Sequence, residues 1–391
     1  MAIGHPGNAK RSLFYSARFR GILYQVVVVA LVVALGWYLV HNTLTNLAAR
    51  GIATGFDFLG REAGFDIGES PIAYTPADSY AHALVVGLLN TLVVAALGIA
   101  LATLIGVVVG IARLSGNWLV ARLATLYVEG VRNVPLLLQL FVWYGIVTSL
   151  PGPRQALNPL PGIFLSNRGL KVPLPEAHPI HPWLLLALLG GFGLAWGVRR
   201  WAIARHDRTG RPFPWMLTGL GLTLGLPLVL FLAVGAPLAM DVPTLRGFNF
   251  AGGGTLSPEF AALLAGLSVY TAAFIAEIVR SGILAVPAGQ TEAALSLGLS
   301  RAKTLRLVIM PQALRVIIPP LTSQYLNLTK NSSLAVAIGY PDLVSVANTT
   351  INQTGHAVEG IGVVMAVFLV ISLALSLLMN WYNAKVALVT R

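Results

Sequence analysis

Polar and ionisable side chains interrupt two stretches of the sequence that are otherwise apolar enough to enter a lipid bilayer. The first stretch contains Glu129, Arg132, Asn133 and Gln139, and the second contains Asn327, Lys330 and Asn331. Inserting an ionisable side chain into a bilayer costs about 2.5 to 3.5 kcal/mol, so such residues are functional candidates by default. Together they offer hydrogen-bond donors and acceptors of both charge signs, which a path for a solute with an ammonium and a carboxylate needs.

Each of these candidates also has a purely structural interpretation. Glu129 and Arg132 are one helical turn apart and would then pair near the inner membrane surface to fix helix packing. Gln139 lies seven residues after Arg132, which predicts that the two share one face of a continuous helix. Lys330 would extend its ammonium to the outer surface while its aliphatic stem stays in the apolar region. The sequence leaves both interpretations open.

The elements that must position these residues are membrane-spanning helices. Hydrophobic residues make up 56% of the 391 residues and charged residues only 10%, whereas soluble chains carry about 25% charged residues. Apolar runs of the roughly 17 to 25 residues that cross a bilayer recur along the chain. They are centred near Val32, Ala96, Leu138, Leu189, Leu226, Val269, Pro319 and Leu373. The predicted fold class is an all-α membrane protein with about eight transmembrane helices.

The net charge of +12 reflects the orientation of the chain in the membrane. With a cytoplasmic N-terminus, most of the 26 Lys and Arg residues fall on the cytoplasmic side, as the positive-inside rule requires. This predicts a multi-pass protein of the bacterial inner membrane, surrounded by membrane lipid, with both termini cytoplasmic. No basic patch with interleaved aromatic residues occurs, so no nucleic acid is expected as a partner. The first span, residues 22–40, is too long for a typical signal peptide, which favours a retained anchor.

Composition divides the chain into four parts. Residues 1–83 hold the N-terminal cytoplasmic segment, an extra span and an outer loop, and residues 84–149 hold the first two spans of a core. Residues 150–255 hold two Leu- and Gly-rich spans without internal ionisable residues, interpreted as an inserted hairpin with Pro- and Gly-rich loops. Residues 256–391 hold three more core spans. The pair Pro319 and Pro320 is expected to bend or unwind the seventh span, and the outer segment after that span is predicted to be irregular.

Neither metal nor hydrolase chemistry is expected. Cysteine is absent, which excludes thiolate metal sites and cysteine nucleophiles. His178 and His181 stand among prolines that prevent a regular helix, and no cysteine is present to complete a ligand set. Nothing resembles a Ser-His-Asp set or a paired-carboxylate site. We therefore predict no metal site and no catalytic residue.

The most informative stretch is the connection between the sixth and seventh spans, residues 287–311. Pro287 can begin a helix, residues 288–297 are good helix formers, and Gly298 suits the left-handed conformation that ends one. Ser300 can cap a second, basic helix. The prediction is a helix-turn-helix hook.

This hook would present small and apolar side chains to a groove in a partner protein. These side chains are Ala293, Ala294, Leu295 and Leu297. Alternatively, an amphipathic loop would rest on lipid headgroups. Glu277 and Arg280, one turn apart just before the hook, are interpreted as an interfacial pair that braces it.

The sequence of the hook resembles the EAA loop of permease subunits of bacterial ABC importers. The resemblance rests on Glu292-Ala293-Ala294, three further residues, Gly298, and Pro311 at the end of the loop. The loop usually ends in Ile-x-Leu-Pro, and Val308 and Met310 depart from that pattern conservatively. In the family, the loop forms a coupling helix that seats in a groove of the ATP-hydrolysing subunit. The residues expected to do so here are Glu292, Ala293, Ala294, Gly298, Arg301 and Pro311.

Three more stretches resemble the polar amino-acid permeases of that family: residues 129–139, 276–283 and 330–334. Asn133-Val134-Pro135 replaces a frequent Gly-Thr-Pro, and Lys330 to Ser333 replaces Lys-Asp-Thr-Ser. The resemblance implies a five-helix type I ABC importer permease core, with an extra N-terminal helix and an inserted hairpin as in the longer permeases of general L-amino-acid importers. It implies ATP-driven, binding-protein-dependent import of polar L-amino acids. The implied partners are two copies of an ABC ATPase, a second related permease and a periplasmic amino-acid-binding protein.

The chain itself lacks a nucleotide site of the P-loop form, because the dipeptide Gly-Lys does not occur. We therefore expect a transport subunit without enzymatic activity or cofactor of its own, with ATP and Mg²⁺ bound by the partner ATPase. The alternative functions are an ion-gradient-driven secondary transporter of small polar solutes and a membrane-embedded enzyme or scaffold. Neither of these needs a hook at the cytoplasmic face.

Overall fold

The chain forms two compact units, Met1–Glu129 with Thr271–Arg391, and Gly130–Tyr270. A computed structural model describes residues 17–49, 51, 54–176, 178–235 and 239–386. Both chain ends lie outside these residues. The prediction that the termini are cytoplasmic therefore concerns residues that the structure does not describe.

Helices dominate the part of the chain that the structure describes. They are α1 (Ala17–Ala49), α2 (Tyr80–Ala112), α3 (Trp118–Arg132), α4 (Leu136–Thr148), α5 (His181–Thr209), α6 (Trp215–Ala233), α7 (Pro258–Leu284), α8 (Ala288–Ser296), α9 (Arg301–Thr304), α10 (Met310–Asn331), α11 (Leu343–Thr354) and α12 (Ala357–Val386). Among the described residues, seven helical segments are long and apolar enough to cross a membrane, and α3 with α4 would make an eighth. The prediction of about eight membrane helices is confirmed.

Glycines on α2 allow close helix packing in the first unit. A Cβ atom at Gly106 would lie 2.6 Å from Cβ of Ile275 on α7, and one at Gly110 would lie 2.8 Å from the carbonyl oxygen of Ala276. Small residues four apart let helix backbones approach each other in a membrane, where packing drives association. This seam therefore holds the end of α2 beside α7, the helix that leads into the hook.

The segment before α2 packs on α2 and α11. Phe58 is 1% exposed and its ring stacks on that of His356 with centroids 4.6 Å apart. The side-chain amide of Asn90 donates to the carbonyl oxygens of Glu69 and Pro341, both at 2.8 Å. These bonds connect the loops that precede α2 and α11 to α2 itself.

The segment between α10 and α12 is largely helical, so the prediction that it is irregular is wrong. Asp342 caps α11, and its Oδ1 accepts a hydrogen bond from the backbone N–H of Ser345 at 2.9 Å. The helix ends at Gly355, whose φ is +76°. An N-cap aspartate and a left-handed glycine are ordinary helix boundaries. The helix was not predicted because the residues between them are too polar for a membrane span.

In the second unit, α5 and α6 form the hairpin expected from the two Leu- and Gly-rich spans. A Cβ atom at Gly191 would lie 2.5 Å from the carbonyl oxygen of Leu222, so the two helices touch there through backbone. The connection between them begins at Gly210, which has a φ of +66°.

Short strands flank this hairpin on both sides. They are β1 (Leu157–Leu160), β2 (Ile163–Ser166), β3 (Gly169–Val172), β4 (Leu174–Pro175), β5 (Met240–Asp241), β6 (Thr244–Arg246), β7 (Asn249–Ala251) and β8 (Gly254–Leu256). They pair antiparallel in the order β1-β2-β3-β8, with β4 on β5 and β6 on β7. Leu170 of β3 lies opposite Leu256 of β8. Strands before the hairpin thus pair with strands after it, although the sequence predicts only loops there.

Candidate functional site

The predicted hook is present between α7 and α10. It begins with α8, which ends at Gly298 in the left-handed conformation, with a φ of +77°. The N–H of Leu299 donates to the carbonyl oxygen of Ala294 at 3.2 Å, and the N–H of Gly298 donates to that of Leu295 at 2.9 Å. This pair of hydrogen bonds is a Schellman motif, which satisfies the last carbonyls of a helix and reverses the chain.

The second half of the hook is tied to α10. The hydroxyl of Ser300 accepts a hydrogen bond from a backbone N–H in the first turn of α9, as predicted. A π-helical turn, Leu305–Ile309, then leads into α10. The side-chain amide of Gln312 on α10 donates to the carbonyl oxygen of Val308 at 2.9 Å and to Oε1 of Gln290 on α8 at 3.4 Å. The side chain of Gln312 therefore links α8 to the start of α10.

Most residues predicted to contact a partner lie on the surface of the hook. The exposed ones are Glu292, Ala293, Leu295, Leu297, Gly298 and Arg301. Leu297 is 82% exposed, and Pro311 is half-buried in the first turn of α10. Ala294, in contrast, is only 4% exposed. The prediction that its side chain is available to a groove is wrong, because Ala294 is buried where α9 and the π-helical turn pack against α8.

A carboxylate bridge lies before the hook. Oε1 of Glu277 accepts a hydrogen bond from Nη2 of Arg280 at 2.7 Å, so the predicted pair is formed. Oε2 of the same carboxylate binds Nη1 of Arg113, the residue that caps α2. No sequence motif marks Arg113 as a partner of Glu277. The two residues are 164 positions apart in the sequence, so no local pattern predicts this pair.

The third predicted span is broken into two helices, α3 and α4, between residues 132 and 136. Pro135 lies between them, lacks a backbone N–H, and disfavours helical backbone at the residue before it. The side-chain amide of Gln139 donates to the carbonyl oxygens of Val131 and Val134, at 2.8 and 3.0 Å. Gln139 thus satisfies two backbone carbonyl groups at the break between α3 and α4. The prediction that it shares one face of a continuous helix with Arg132 is wrong.

The other polar candidates lie at helix ends. Glu129, Arg132 and Asn133 are exposed where α3 ends, and Asn327 and Lys330 are exposed at the end of α10, with Asn331 half-buried. On α10, spacings of three and four residues place Asn327 on the same face as Lys330 and Asn331. These residues stay candidates for a substrate path.

The seventh span does not unwind at Pro319 and Pro320. Helix α10 runs through both prolines from Met310 to Asn331, so that part of the prediction is wrong. The φ angle of proline fits a helix. Because proline has no backbone N–H, two carbonyl groups one turn earlier lose their helical hydrogen bonds. The irregular backbone lies earlier, in the π-helical turn.

An apolar cavity of about 450 Å³ lies between α2, α7, α10 and α12. The hydroxyls of Thr103 and Tyr325 on its wall are 2.9 Å apart. None of the polar candidates named above lines it. Its chemistry suits hydrocarbon rather than a zwitterionic solute.

Comparison with known proteins identifies related chains. The family model described as "Binding-protein-dependent transport system inner membrane component" matches residues 210–387, which include the hook. The general L-amino acid transport system permease protein AapQ of Rhizobium johnstonii is 50% identical, over 97% of this chain and 96% of its own length. The putative amino-acid ABC transporter permease protein YhdX of Escherichia coli is 52% identical, over 97% of each chain.

A third relative is more distant in sequence. The glutamate/glutamine/aspartate/asparagine transport system permease protein BztB of Rhodobacter capsulatus is 42% identical, over 97% of this chain and 96% of its own length. Because all three matches cover almost the full chain, they include the first span and the α5–α6 hairpin as well as the hook.

Proposed function

Because this chain belongs to the permeases of bacterial amino-acid ABC transporters, within the binding-protein-dependent inner-membrane components, we propose that it forms part of the path for polar L-amino acids in an ATP-driven importer. The same matches favour an ABC importer over the ion-gradient-driven secondary transporter. The printed names of the relatives support the substrate class: one names general L-amino acids and another names glutamate, glutamine, aspartate and asparagine.

The exposed Leu297 at the tip of the hook carries the proposal. A leucine that is 82% exposed at the end of a helix closed by a Schellman motif is a rigid apolar projection that fits a groove. Glu292, Ala293, Gly298 and Arg301 surround it as the contact surface. Ala294 and Pro311 act from behind that surface, by shaping the turn and by starting α10.

The proposed assembly contains what this chain lacks. ATP and Mg²⁺ are bound by two copies of a separate ATPase subunit, one for each of two permease hooks. A second, related permease completes the path, and a periplasmic binding protein delivers the amino acid. Both termini of this chain are cytoplasmic, which puts the hook and the α5–α6 connection on the ATPase side.

The proposed division of labour follows the four parts of the sequence. Residues 84–149 and 256–391 form the five-span core, and residues 1–83 and 150–255 are additions to it. The substrate path is assigned to residues at helix ends in the core. They are Glu129, Arg132, Asn133, Gln139, Asn327, Lys330 and Asn331, of which Gln139 acts by holding the bend between α3 and α4.

The absence of cysteine allows a direct test of the docking role. The variant Leu297→Cys carries one thiol at the tip of the hook. In native membranes, a short thiol-to-amine cross-linker should join it to a co-purifying protein with ATPase activity. The matched control is Phe248→Cys, since Phe248 is 74% exposed in the loop between β6 and β7, remote in sequence from the hook.

Two results would separate the alternatives. A cross-link from position 297 and none from position 248 supports the docking role. A chain that elutes alone and reacts at 297 only with lipid contradicts it. Uptake of labelled amino acids by the reconstituted assembly, dependent on ATP and insensitive to uncouplers, tests the transport role itself.

A further inference from the structure

Arginines are concentrated where α5 connects to α6. Between residues 199 and 211 the sequence holds one acidic residue, Asp207. The basic residues are Arg199, Arg200, Arg205, Arg208 and Arg211. The three ion pairs formed within the described part of the chain involve none of these arginines. Five guanidinium groups therefore lack a carboxylate there, which leaves a strongly positive surface.

Aromatic rings lie against three of these five guanidinium groups. Arg200 lies 4.0 Å above the ring of Trp196, and Arg205 lies 5.3 Å above that of Trp201, each one turn earlier on α5. A guanidinium stacked on a ring keeps its N–H groups at the edge, free to donate to an anion. The stacking is thus compatible with phosphate binding and lowers the entropy lost on binding.

Two of the arginines also reach across to the other side of the hairpin. Arg199 lies 5.4 Å from the ring of Trp215 on α6, and Arg205 lies 6.0 Å from that of Phe213. Phe213 in turn packs edge-on against Trp201 with centroids 5.2 Å apart. Arg199 and Arg205 are thus exposed to solvent while each also lies near an aromatic ring that follows the turn of the hairpin.

A cleft of about 360 Å³ runs between α5 and α6 from this cluster. Arg199 and Trp215 line one end, and Phe192 and Thr223 line the other. From Phe192 to Arg199 the helix rises over seven residue steps, about 10 Å, which is the length of roughly eight methylene groups of an extended chain. The walls between these ends are apolar or small, including Ala195 and Gly219.

We propose that this arginine–tryptophan cleft, lined by Arg199, Trp215 and the apolar walls, binds an anionic phospholipid of the cytoplasmic leaflet together with Arg205, which lies six residues further along α5 against Phe213. The phosphate accepts hydrogen bonds from the arginines, and one acyl chain lies along the cleft. The positive-inside rule places this end of the hairpin at that leaflet. Basic pockets between membrane helices suit anionic headgroups, and a neutral zwitterionic lipid lacks the net charge that five unpaired cations favour. The site gives the inserted hairpin a role that is independent of ATPase docking.

The test measures lipid retention and needs no transport. The full chain is purified from nanodiscs that contain equal amounts of phosphatidylglycerol and phosphatidylcholine, and its bound lipid is quantified by native mass spectrometry. Each arginine near an anionic surface contributes about fivefold to affinity. The double variant Arg199→Gln with Arg205→Gln should therefore bind phosphatidylglycerol about 25-fold more weakly. Arg122→Gln is the control, because Arg122 is an exposed arginine on α3 that no aromatic ring holds in the described structure.

Three outcomes decide the matter. Preferential retention of phosphatidylglycerol that is lost in the double Gln variant, and partly kept when both residues are Lys, supports the site. Equal retention of the two lipids by the unmodified chain overturns it, whether or not the variants fold. An equal loss in the Arg122→Gln control also overturns it, since the effect would then be general surface charge.

Discussion

Nη2 of Arg280 donates to Oε1 of Glu277 at 2.7 Å within the last two turns of α7, just before the hook begins. The other carboxylate oxygen is held by Arg113 at the end of α2. The side chains of Arg113 and Glu277 are only 11% and 27% exposed, so this bridge is better shielded from water than a surface ion pair. It fixes two helices of the core at the base of the hook, which is a bracing role rather than a solute-binding one.

Removing this carboxylate should weaken the base of the hook. In Glu277→Gln both arginines lose their anionic partner, at a cost of about 1 to 3 kcal/mol for partly buried charge-assisted hydrogen bonds. We expect the melting temperature of the purified chain to fall by several degrees and ATP-dependent uptake to fall with it. Asp57→Asn is the matched control, since Asp57 is exposed and its amide should change neither quantity. An unchanged melting temperature in Glu277→Gln would show that the bridge is not a brace.

Gly298 should be essential for coupling rather than for insertion. A side chain at its φ of +77° costs about 1 to 2 kcal/mol, and Asp adds a charge at the docking surface. Gly298→Asp should reach the membrane in normal amounts but lose ATP-dependent uptake, measured with labelled amino acid in vesicles. Gly355→Asp carries the same strain, with a φ of +76° at the end of α11, and should keep uptake. Loss of uptake in both variants would point to strain alone.

The hook was predictable because its signals are local. Pro287, Gly298 and Ser300 each act within a few residues, through the missing N–H, the left-handed backbone and the capping hydroxyl. The structure places all three as expected. The signal for the break at Pro135 is equally local, but the apolar run around this proline predicts one continuous span.

The remaining features depend on contacts between distant segments. No local pattern pairs Arg113 with Glu277, because the pairing follows from the α2–α7 seam. The burial of Ala294 depends on the packing of α9 and the π-helical turn against α8. Strand β3, before the hairpin, pairs with strand β8, after it, and Leu170 lies opposite Leu256. Strands of three or four residues are too short to show the alternation of apolar and polar residues that identifies longer strands.

The α2–α7 seam can be tested with a single methyl group. Replacing Gly by Ala in a helix normally stabilises it by about 0.5 to 1 kcal/mol. At Gly106 the added Cβ would lie 2.6 Å from Cβ of Ile275, and overpacking of this kind costs about 1 to 3 kcal/mol. Gly106→Ala should therefore melt at a lower temperature than the unmodified chain. Gly36→Ala on α1, where a Cβ meets nothing within 4 Å, should melt at the same or a slightly higher temperature. Identical behaviour of the two variants would mean that α2 and α7 are not in close contact.

Asp342 introduces a pH dependence into the stability of the first unit. It is completely buried, and among the described residues its Oδ2 has no hydrogen-bond partner. Burial raises the pKa of this carboxyl to about 7, although the N–H of Ser345 at Oδ1 acts in the opposite direction. The unfolded chain has an aspartate pKa of about 3.9, so between these values the folded state holds a proton that the unfolded state has released. Stability must then fall as the pH rises through this window, and level off above the folded pKa.

The variant Asp342→Asn should remove this dependence, because Asn keeps the N-cap and cannot ionise. For the unmodified chain in detergent, we expect a melting temperature several degrees lower at about pH 8 than at about pH 5. Asp342→Asn should melt at nearly the same temperature at both, and above the unmodified chain at the higher pH. Asp57→Asn, which alters an exposed carboxyl, should retain the full pH dependence. If Asp342→Asn also retained it, the titrating group would have to be another one, and the buried carboxyl of Asp342 would be ionised throughout the range.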